Sequence, residues 1–400
     1  MFTLSRTSAF LLSVMLLGTV AQPATYHVSP NGADSNNGTS PATAWRSIAR
    51  VLQSIYSLQP GDRILFERGG TYRGELIMPN SGNSANPIQF GAYGTGALPV
   101  ISGSDVVTGW VQHSGNIWRA PLTSGAKHVY VNGVRQTLAR FPNTGWLRND
   151  QGTGTTLYDN ALTQGSGYWN GSTVVIRSTN WSYDAPTVSG FSNGTLTFPN
   201  IYYNLGSNDW GYFLCNKLSE LDAPGEWYHD ATNGQLYLWA PNNANPNTLT
   251  VEAAIRDRGI NVYWSRQFVT IADLAFQHQR LAGVWLDGAS NVTITGCTFR
   301  ELYFGIRSVG TNCLYQGNTF HDTYATAAMM LDNGSQFTSN TLTNIAMVPG
   351  LGESNWGYFG VRTVGNNNIV RLNRIENVGY IGIVVDKNVL VEKNVVRNPT

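Results

Sequence analysis

The chain is poor in charged residues and in cysteine. Charged side chains make up 12% of its 400 residues, about half of the roughly 25% usual in soluble domains. The 25 lysines and arginines balance the 24 aspartates and glutamates, which argues against a nucleic-acid or anionic-membrane partner. The three cysteines, Cys215, Cys297 and Cys313, show no CxxC spacing. We therefore expect buried thiols, with neither a disulfide framework nor a zinc site.

Long hydrophobic runs are missing beyond the first residues. The apolar stretch at 9–17 follows Arg6, precedes small residues and is too short to span a bilayer. This pattern is typical of a secretory signal peptide cleaved near Ala21. We expect residues 1–21 to be removed and the mature chain to be exported, outside the cell or into the periplasm, without a membrane span. A membrane anchor is the alternative interpretation.

The chain is rich in glycine, with 43 residues, and it carries an internal repeat. Six segments after Phe268 follow one template, with steps of 23, 21, 22, 33 and 21 residues between equivalent positions. β-rich segments of this period, without helical periodicity, favour coils of a parallel β-helix over leucine-rich repeats. Stacked coils lie about 4.7 to 4.9 Å apart, so asparagines at one bend of successive coils predict a hydrogen-bonded ladder. The ladder residues are Asn318, Asn340, Asn373 and Asn394.

A second strand recurs in each coil, in GVWLDG, GIRSVG, AAMMLDNG, GVRTVG and GIVVDKN. Alternation predicts one face toward the core and one face outward. The predicted core set is Val284, Ile306, Met329, Val361 and Ile383, and the outward set is Trp285, Arg307, Met330, Arg362 and Val384. Because unpaired arginine is almost never buried, the outward set predicts a groove.

Other segments define the ends and an interruption. A helix with Ile48, Val51, Leu52 and Ile55 on one face predicts a cap before the first coils, within 22–103. Between 104 and 258 the period disappears, and aromatic-rich strands with Gly/Asn turns predict an inserted antiparallel, sandwich-like β domain. Coils resume at 259–400. Since the last coil lacks a polar cap, we expect the natural chain to continue beyond Thr400.

Residues 25–102 and 259–400 resemble the pectate-lyase-like right-handed parallel β-helix superfamily. The segments YHVSPNGADSNNGTSPATAWRSI and PGDRILFERGGTY are similar to the opening of many exported β-helix polysaccharide lyases and glycosidases. The segments VNGVRQTLARFPN and GEWYHDATNGQLYLW resemble the β-sandwich inserted in xylosidase- and fucosidase-like β-helix glycoside hydrolases. The resemblance implies an all-β, right-handed parallel β-helix with a helical cap and an inserted antiparallel domain.

The resemblance also bears on where substrate and cofactors would bind. It implies that substrate lies along the recurring strands at 283–287, 305–308, 327–331, 359–363 and 381–385. GVWLDG lacks the histidine of the pectin-lyase signature, and no aspartate cluster matches the calcium site of the pectate lyases. We therefore expect no metal and no cofactor.

The 33-residue step exceeds its neighbours because of the segment AMVPGLGESNWGYFGV. This excess predicts a loop at 348–358 over the groove, where binding groups concentrate. The loop holds Glu353 between aromatic residues, Trp356 and Tyr358, whose rings can cover the face of a sugar. A packed loop that covers a hydrophobic gap is the alternative.

The preceding coil carries HDTY, with His321, Asp322 and Tyr324. Glycoside hydrolases pair two carboxylates about 5 to 9.5 Å apart, and neighbouring coils give such spacings. We therefore predict Asp322 and Glu353 as the catalytic pair, with His321 beside them. The alternative is that Asp322 caps a turn and His321 bonds to the backbone.

Further candidates surround this pair. His278 and Glu301 occupy the corresponding loops of earlier coils. Arg307 and Arg362 could bind a uronate or sulfate, or act as a lyase base, although stacking on neighbouring side chains explains them equally. The predicted substrate-binding set is Trp356, Tyr358, Arg307, Arg362, Trp285 and Tyr324. Asp287, Asp332 and Asp386 form a column, but each precedes turn residues, which favours turn roles.

These patterns predict a secreted, monomeric glycoside hydrolase that acts on a plant or algal polysaccharide or oligosaccharide by paired-carboxylate acid/base catalysis. One alternative is a metal-independent polysaccharide lyase that abstracts the proton next to a uronate carboxyl group. The other is a non-catalytic carbohydrate-binding or adhesin β-helix.

Overall fold

The computed structural model describes residues 22–206, 210–352 and 357–399. Three parallel sheets run along the molecule, and each coil contributes one strand to each sheet in turn. The first sheet comprises Thr25–Val28, Arg63–Glu67, Ile88–Tyr93, Val269–Ala272, Thr293–Thr295, Leu314–Gln316, Gln336–Thr338, Ile369–Arg371 and Leu390–Glu392. The predicted all-β, parallel β-helix fold is confirmed. The predicted signal peptide and Thr400 lie outside the described residues.

The other two sheets complete the coils. The second sheet comprises Thr71–Arg73, Val100–Ser102, Ala275–Gln277, Thr298–Arg300, Thr319–His321, Thr341–Ile345, Arg374–Val378 and Val395–Pro399. The third sheet comprises Leu76–Met78, Arg258–Val262, Ala282–Ser290, Phe304–Thr311, Ala328–Leu331, Phe359–Val364 and Ile381–Val385. The recurring strands of the sequence therefore form the third sheet.

Stacked side chains fill the space between the three sheets. Phe276, Phe299 and Phe320 stack on consecutive coils, with ring centroids 5.1 and 4.8 Å apart, and all three are fully buried. Burial of each of these rings stabilises the fold by on the order of 2 kcal/mol. A repeated aromatic at one position thus builds a continuous core from coils that cannot form one singly.

The phase of one strand in the third sheet differs from our prediction. Arg307 pairs with Met329, and Ser308 with Met330, so Met329 lies in the outward column and Met330 is fully buried in the core. The outward assignment of Met330 was wrong. In the segment AAMMLDNG the strand begins one residue later than the first alanine suggested, because Ala328 pairs with Ile306 of the preceding coil.

A short helix covers the first coil. Ser47 caps Ile48–Ser54 by accepting the Arg50 N–H through its hydroxyl group, as Ser does at helix N-termini. Ile48 and Val51 are buried in the same core as the first strands. Short 3₁₀ turns lie at Pro41–Thr43, Ile55–Ser57, Leu218–Glu220, Pro241–Asn243 and Pro246–Thr248. Across the described ranges, no helix has the length and apolar character needed to cross a bilayer.

The predicted asparagine ladder, formed by Asn318, Asn340, Asn373 and Asn394, lies between the first and second sheets. The Asn340 Oδ1 accepts hydrogen bonds from the backbone N–H of Asn318 at 2.9 Å and from its Nδ2 at 3.1 Å. The same pair of bonds joins Asn340 to Asn373 and Asn373 to Asn394. Each Nδ2 also donates to a backbone carbonyl of the preceding coil. The structural interpretation of these asparagines is confirmed.

Between the second-sheet strand Val100–Ser102 and the third-sheet strand Arg258–Val262, the chain leaves the coil and forms four small sheets. We call residues 104–254 the inserted region. Its strands are Ser104–Val106, Val129–Val131, Val134–Arg135 and Val251–Ala254; Val111–Ser114, Ile117–Pro121, Thr137–Leu138, Glu226–Asp230 and Gln235–Trp239; Arg140–Phe141, Thr173–Thr179, Ser182–Asp184 and Tyr212–Cys215; and Gln151–Gly152, Thr156–Tyr158, Gly190–Ser192 and Thr195–Thr197. Pairing is antiparallel except between Thr137–Leu138 and Glu226–Trp227.

All three cysteines are free and buried, as expected. Burial raises the pKa of the Cys215 and Cys297 thiols to about 12 and that of Cys313 to about 11. The thiols are therefore protonated and unreactive at neutral pH.

Candidate functional site

Titratable residues occupy one corner of three successive coils, where the second sheet turns toward the third. Gln277, Arg300 and His321 pair in register along the second sheet. The next residue in each coil, His278, Glu301 or Asp322, has a positive φ of 66°, 48° or 55°. We call these three residues the acidic corner. The αL conformation is uncommon for such residues, and here it places their side chains one above another.

The same corner continues along the helix as asparagines. Asn344 donates to Asp322 Oδ1 at 3.1 Å, Asn377 donates to Asn344 at 2.9 Å and Asn398 donates to Asn377 at 3.2 Å. Asp322 also lies 3.0 Å from the His321 Nδ1 through its other oxygen. Its side chain is 50% exposed. Asp322 is therefore an accessible carboxylate held at both oxygens.

Glu301 and His278 lie on the two preceding coils. The Glu301 Oε2 lies 3.5 Å from the His278 Nε2, and the Glu301 side chain is 21% exposed while His278 is almost fully buried. The His278 Nδ1 is 3.0 Å from the hydroxyl of Ser104, which also bonds to Glu252 at 3.1 Å. The first strand of the inserted region thus fixes the orientation of the imidazole.

The inserted region packs over this corner through aromatic contacts. The ring of Tyr130 stacks on His278 with centroids 3.6 Å apart, and its hydroxyl bonds to the Tyr324 hydroxyl at 2.8 Å and to the Glu301 carbonyl at 3.1 Å. His128 packs on Tyr324 at 4.3 Å. Burial, reinforced by neighbouring cations, holds the pKa of His128 well below its usual value, so this imidazole is neutral at pH 7.

Tyr324 was predicted to contact substrate, and its position excludes that role in this structure. It is only 2% exposed because Tyr130 and His128 cover it. Burial raises its pKa, and the negative charges of Glu301 and Asp322 add to that effect. Tyr324 therefore has a structural role beside the acidic corner.

The loop between Thr341–Ile345 and Phe359–Val364 docks onto the inserted region. At Gly350, where φ is 75°, an added Cβ would lie 2.7 Å from Val175 Cγ1, so glycine permits both the conformation and the close contact. A Cβ added at Gly352 would likewise lie 2.7 Å from Cε1 of the Tyr358 ring. The described part of the predicted loop, residues 348–352, therefore packs against the inserted region.

Tyr358 was also predicted to bind substrate, but it is fully buried in the β-helix core. Its ring packs edge-on against Tyr183 of the inserted region at 5.2 Å, and the loop covers it. Tyr358 therefore anchors the loop and offers no face to a ligand. The predicted acid Glu353 and the predicted platform Trp356 lie outside the described residues.

A cleft of about 500 Å³ separates the loop from the inserted region. Its walls include Val175, Phe213 and Trp227, with 348–351 from the loop. Lys127, Arg135 and Arg140 also line it. The Arg135 guanidinium lies 5.8 Å from the centroid of Tyr324, so the cleft adjoins the acidic corner. Its size is within the range of small-ligand sites.

The outward column of the third sheet contains the other predicted binding residues. Trp285 lies between two guanidinium groups, that of Arg258 from the preceding coil at 4.6 Å and that of Arg307 from the following coil at 4.2 Å. Cation–π contacts of this kind stabilise the pair, and a sugar could stack on Trp285 only by displacing an arginine. Arg362 follows Met329 in the same column. Of the two interpretations of Arg307, the stacked one agrees with its contact to Trp285.

The aspartate column does not form a site. Asp332 is fully buried and accepts hydrogen bonds at 2.7 Å from the hydroxyls of Ser308 and Tyr315 and from the backbone of Gly310. Asp287 is half-buried and Asp386 is exposed. Asp332 is thus a structural residue of the core. Among the described residues, no group of three or more His, Cys, Asp or Glu side chains could hold a metal ion.

Three comparisons relate the chain to known proteins. A family model described as "Right handed beta helix region" matches residues 258–400. A lacto-N-biosidase of Bifidobacterium longum subsp. longum is 36% identical over 93 residues, which span 22% of this chain and 6% of the biosidase. The chain therefore corresponds to a small part of that relative.

Two solved structures share the architecture. A structure titled "Glycoside hydrolase" has a TM-score of 0.60 at 14% identity, covering 93% of this chain and 96% of that chain. XylC in complex with xylose has a TM-score of 0.54 at 14% identity, covering 92% of this chain and 62% of that chain. These identities establish the fold alone. The chain is a right-handed parallel β-helix, and the matches fit the superfamily that its sequence resembles.

Proposed function

We propose that the protein is a glycoside hydrolase that cleaves a polysaccharide or oligosaccharide at the acidic corner. The observation that carries this proposal is the position of Glu301 and Asp322 at equivalent turns of consecutive coils, next to a cleft. Stacked coils are about 4.7 to 4.9 Å apart. That spacing corresponds to the roughly 5 to 5.5 Å between the carboxylates of retaining glycosidases.

The surroundings of the two carboxylates suggest different roles. Asp322 is the more exposed and is held by His321 and Asn344, as suits a nucleophile. Glu301 is less exposed and faces His278, which Ser104 and Tyr130 orient, as suits a proton donor and acceptor. In the proposed reaction Asp322 attacks the anomeric carbon while Glu301 protonates the leaving oxygen, and water then releases the sugar with Glu301 as base.

Glu353 remains a second candidate for the acid, because it belongs to the loop predicted over the groove. It lies outside the described residues. The biosidase match and the shared fold of a glycoside hydrolase support a carbohydrate-active enzyme. Export from the cell and a plant or algal substrate remain part of the proposal.

The test is a panel of chromogenic glycosides and polysaccharides assayed with the full chain and with Glu301→Gln, Asp322→Asn and Glu353→Gln. We expect Asp322→Asn to lower turnover by about 10³-fold, and one of the glutamate variants to lose a similar factor. Azide rescue of Asp322→Asn with an inverted glycosyl azide would identify the nucleophile. Full activity of Asp322→Asn and Glu301→Gln on a hydrolysed substrate would refute this site.

A polysaccharide lyase is the second candidate, because Lys127 lines the cleft together with Arg135 and Arg140. Burial by the surrounding protein, followed by the charge of Arg280, lowers the pKa of Lys127, which favours use as a base. Elimination would yield products that absorb in the ultraviolet, and hydrolysis would yield reducing ends without that absorbance. The same panel therefore separates the two reactions.

A further inference from the structure

The cleft between the loop and the inserted region is cationic. Three of its lining residues carry positive charge, Lys127, Arg135 and Arg140, and among the described lining residues none is an aspartate or glutamate. In the described ranges, none of the three cations is within ion-pair distance of a carboxylate. In a chain with nearly equal numbers of acids and bases, this local excess is not a property of the whole surface.

Arg140 retains hydrogen-bonding capacity inside the cleft. Its guanidinium lies 3.8 Å from the centroid of Phe213 and donates to the Gly145 carbonyl, whereas its buried Nε–H has no partner among the described residues. Buried donors are normally paired. An unpartnered guanidinium N–H beside a cavity therefore indicates a place for an acceptor on a ligand.

The neighbouring acid Glu226 does not fully cancel the charge of Arg140. Glu226 accepts backbone hydrogen bonds from Arg140, Asp222 and Ala223 at 3.1 to 3.2 Å, and burial raises its pKa to about 7. At neutral pH this carboxyl group is therefore only partly ionised.

The remaining walls of the cleft are apolar. Phe213 and Trp227 line it as largely buried rings, with the Arg140 guanidinium over the ring of Phe213, and Val175 and the loop residues at 348–351 add an aliphatic lining. Arginine binds planar oxyanions through its forked donors. The cleft thus combines an apolar lining with donors suited to the oxyanion of a charged saccharide.

We propose that this cleft is a subsite for an anionic sugar residue, in which Arg135 and Arg140 bind the oxyanion and Lys127 adds charge at the mouth. The proposal rests on the proposed function in taking the ligand to be a saccharide and in placing the subsite beside the acidic corner. It differs from the predicted roles of Arg307 and Arg362, which lie on the third sheet. The shared chemistry is an oxyanion on a sugar ring, either a uronate carboxylate or a sulfate ester.

The test is equilibrium binding to the full chain, measured by calorimetry at low ionic strength and pH 7. The probes are trigalacturonate, its trimethyl ester as the neutral counterpart, and a sulfated galactose trisaccharide. We expect trigalacturonate or the sulfated sugar to bind at least tenfold more tightly than the neutral ester, with an affinity that falls as salt is added. The preferred probe identifies the oxyanion. Equal binding of all three, or no binding, would overturn the proposal.

Substitution of Arg135 tests whether this residue binds the oxyanion. Arg135→Gln should weaken binding of the preferred anionic probe about 10- to 100-fold, the range for one charged hydrogen-bonding partner, and leave the binding of the neutral ester unchanged. Arg135→Lys should recover part of the loss. Arg119→Gln, which removes an exposed cation of the inserted region outside the cleft, is the matched control and should bind as the native chain does.

Because binding needs no turnover, the two proposals fail separately. Selective anionic binding by a chain that hydrolyses nothing would remove the hydrolase and keep the subsite. Hydrolysis of neutral glycosides by a chain that binds anionic and neutral probes equally would keep the hydrolase and remove the subsite. Circular dichroism shows whether each variant is folded. A folded Arg135→Gln variant that binds the anionic probe as the native chain does would refute the assignment of Arg135.

Discussion

Two corners of the same coil both stack polar side chains from one coil to the next, and they differ in chemistry. The asparagine ladder, between the first and second sheets, is buried, and its amides are paired from coil to coil. The acidic corner, between the second and third sheets, starts the same kind of stack with His278, Glu301 and Asp322 and becomes a column of asparagines only from Asn344 onward. Stacked coils thus carry a structural amide ladder at one corner and ionisable groups at the other.

The difference follows from what covers each corner. The asparagine ladder is enclosed by its own coils, so its polar groups must be satisfied by one another. The acidic corner is covered by Tyr130 and His128 of the inserted region and opens on the cleft beside Arg135. At the acidic corner the inserted region provides partners for His278 and Glu301. Asp322 is half exposed to solvent and is held by His321 and Asn344 of the coils.

The largest expected effect comes from converting the acidic corner into a ladder. The double variant Glu301→Asn/Asp322→Asn should lose at least 10³-fold in turnover on any glycoside that the native chain hydrolyses. Its thermal midpoint should be equal or higher, since two partly buried charges are replaced by the residue found at the next coil. Retained turnover would show that the two corners do not differ in function.

Breaking the asparagine ladder should cost stability. Asn340→Ala removes the acceptor of two Asn318 hydrogen bonds and the donor to the Tyr315 carbonyl. Leaving buried donors without partners costs about 2 to 4 kcal/mol of unfolding free energy in total. Chemical denaturation of the full chain measures this loss, and a loss below about 1 kcal/mol would contradict the role of the ladder.

Loop docking beside the acidic corner is tested at Gly350. Gly350→Ala meets Val175 at a positive φ, which should cost about 1 to 3 kcal/mol and loosen the cleft. Gly171→Ala is the control, because its φ is 80° and no atom lies within 4 Å of the added Cβ. Limited proteolysis should cut the loop faster in the first variant and leave it unchanged in the second.

The smallest effect is expected one coil beyond the acidic corner. Asn344→Ala removes a bond of 3.1 Å to Asp322 and one of 2.9 Å from Asn377, the first of which is exposed to solvent. Exposed bonds compete with water, so the loss should stay below about 1 kcal/mol. The matched comparison is Asn340→Ala at the buried corner. Equal losses at both sites would remove the distinction between the corners.

Features that repeat along the chain could be predicted from the sequence. The coil steps and the ladder depend on contacts between residues about one coil apart, and the cap helix depends on an apolar face that repeats every three or four residues. A periodic pattern in the sequence records both directly. The same reasoning misjudged Met330, because the two alanines of AAMM shift the start of the strand by one residue. A one-residue shift reverses which side chain faces the core.

The candidate site could be predicted only in part. Asp322, His321, His278 and Glu301 were identified because they occupy equivalent loops. Their cover was not, since Tyr130 contacts Tyr324 across 194 positions of sequence and no period connects the inserted region to the coils. For the same reason Tyr324 and Tyr358 were expected at a surface, although docking of the inserted region and the loop buries both.

The 33-residue coil has a further consequence. Its extra residues leave between Ile345 and Phe359, while Asn340 and Asn373 bond as closely as the ladder pairs with ordinary spacing. The spacing of the asparagine ladder therefore does not depend on the length of the segment between Ile345 and Phe359. A segment of different length between Ala346 and Tyr358, which are both buried in the β-helix core, would therefore reshape the cleft and leave the asparagine ladder in register.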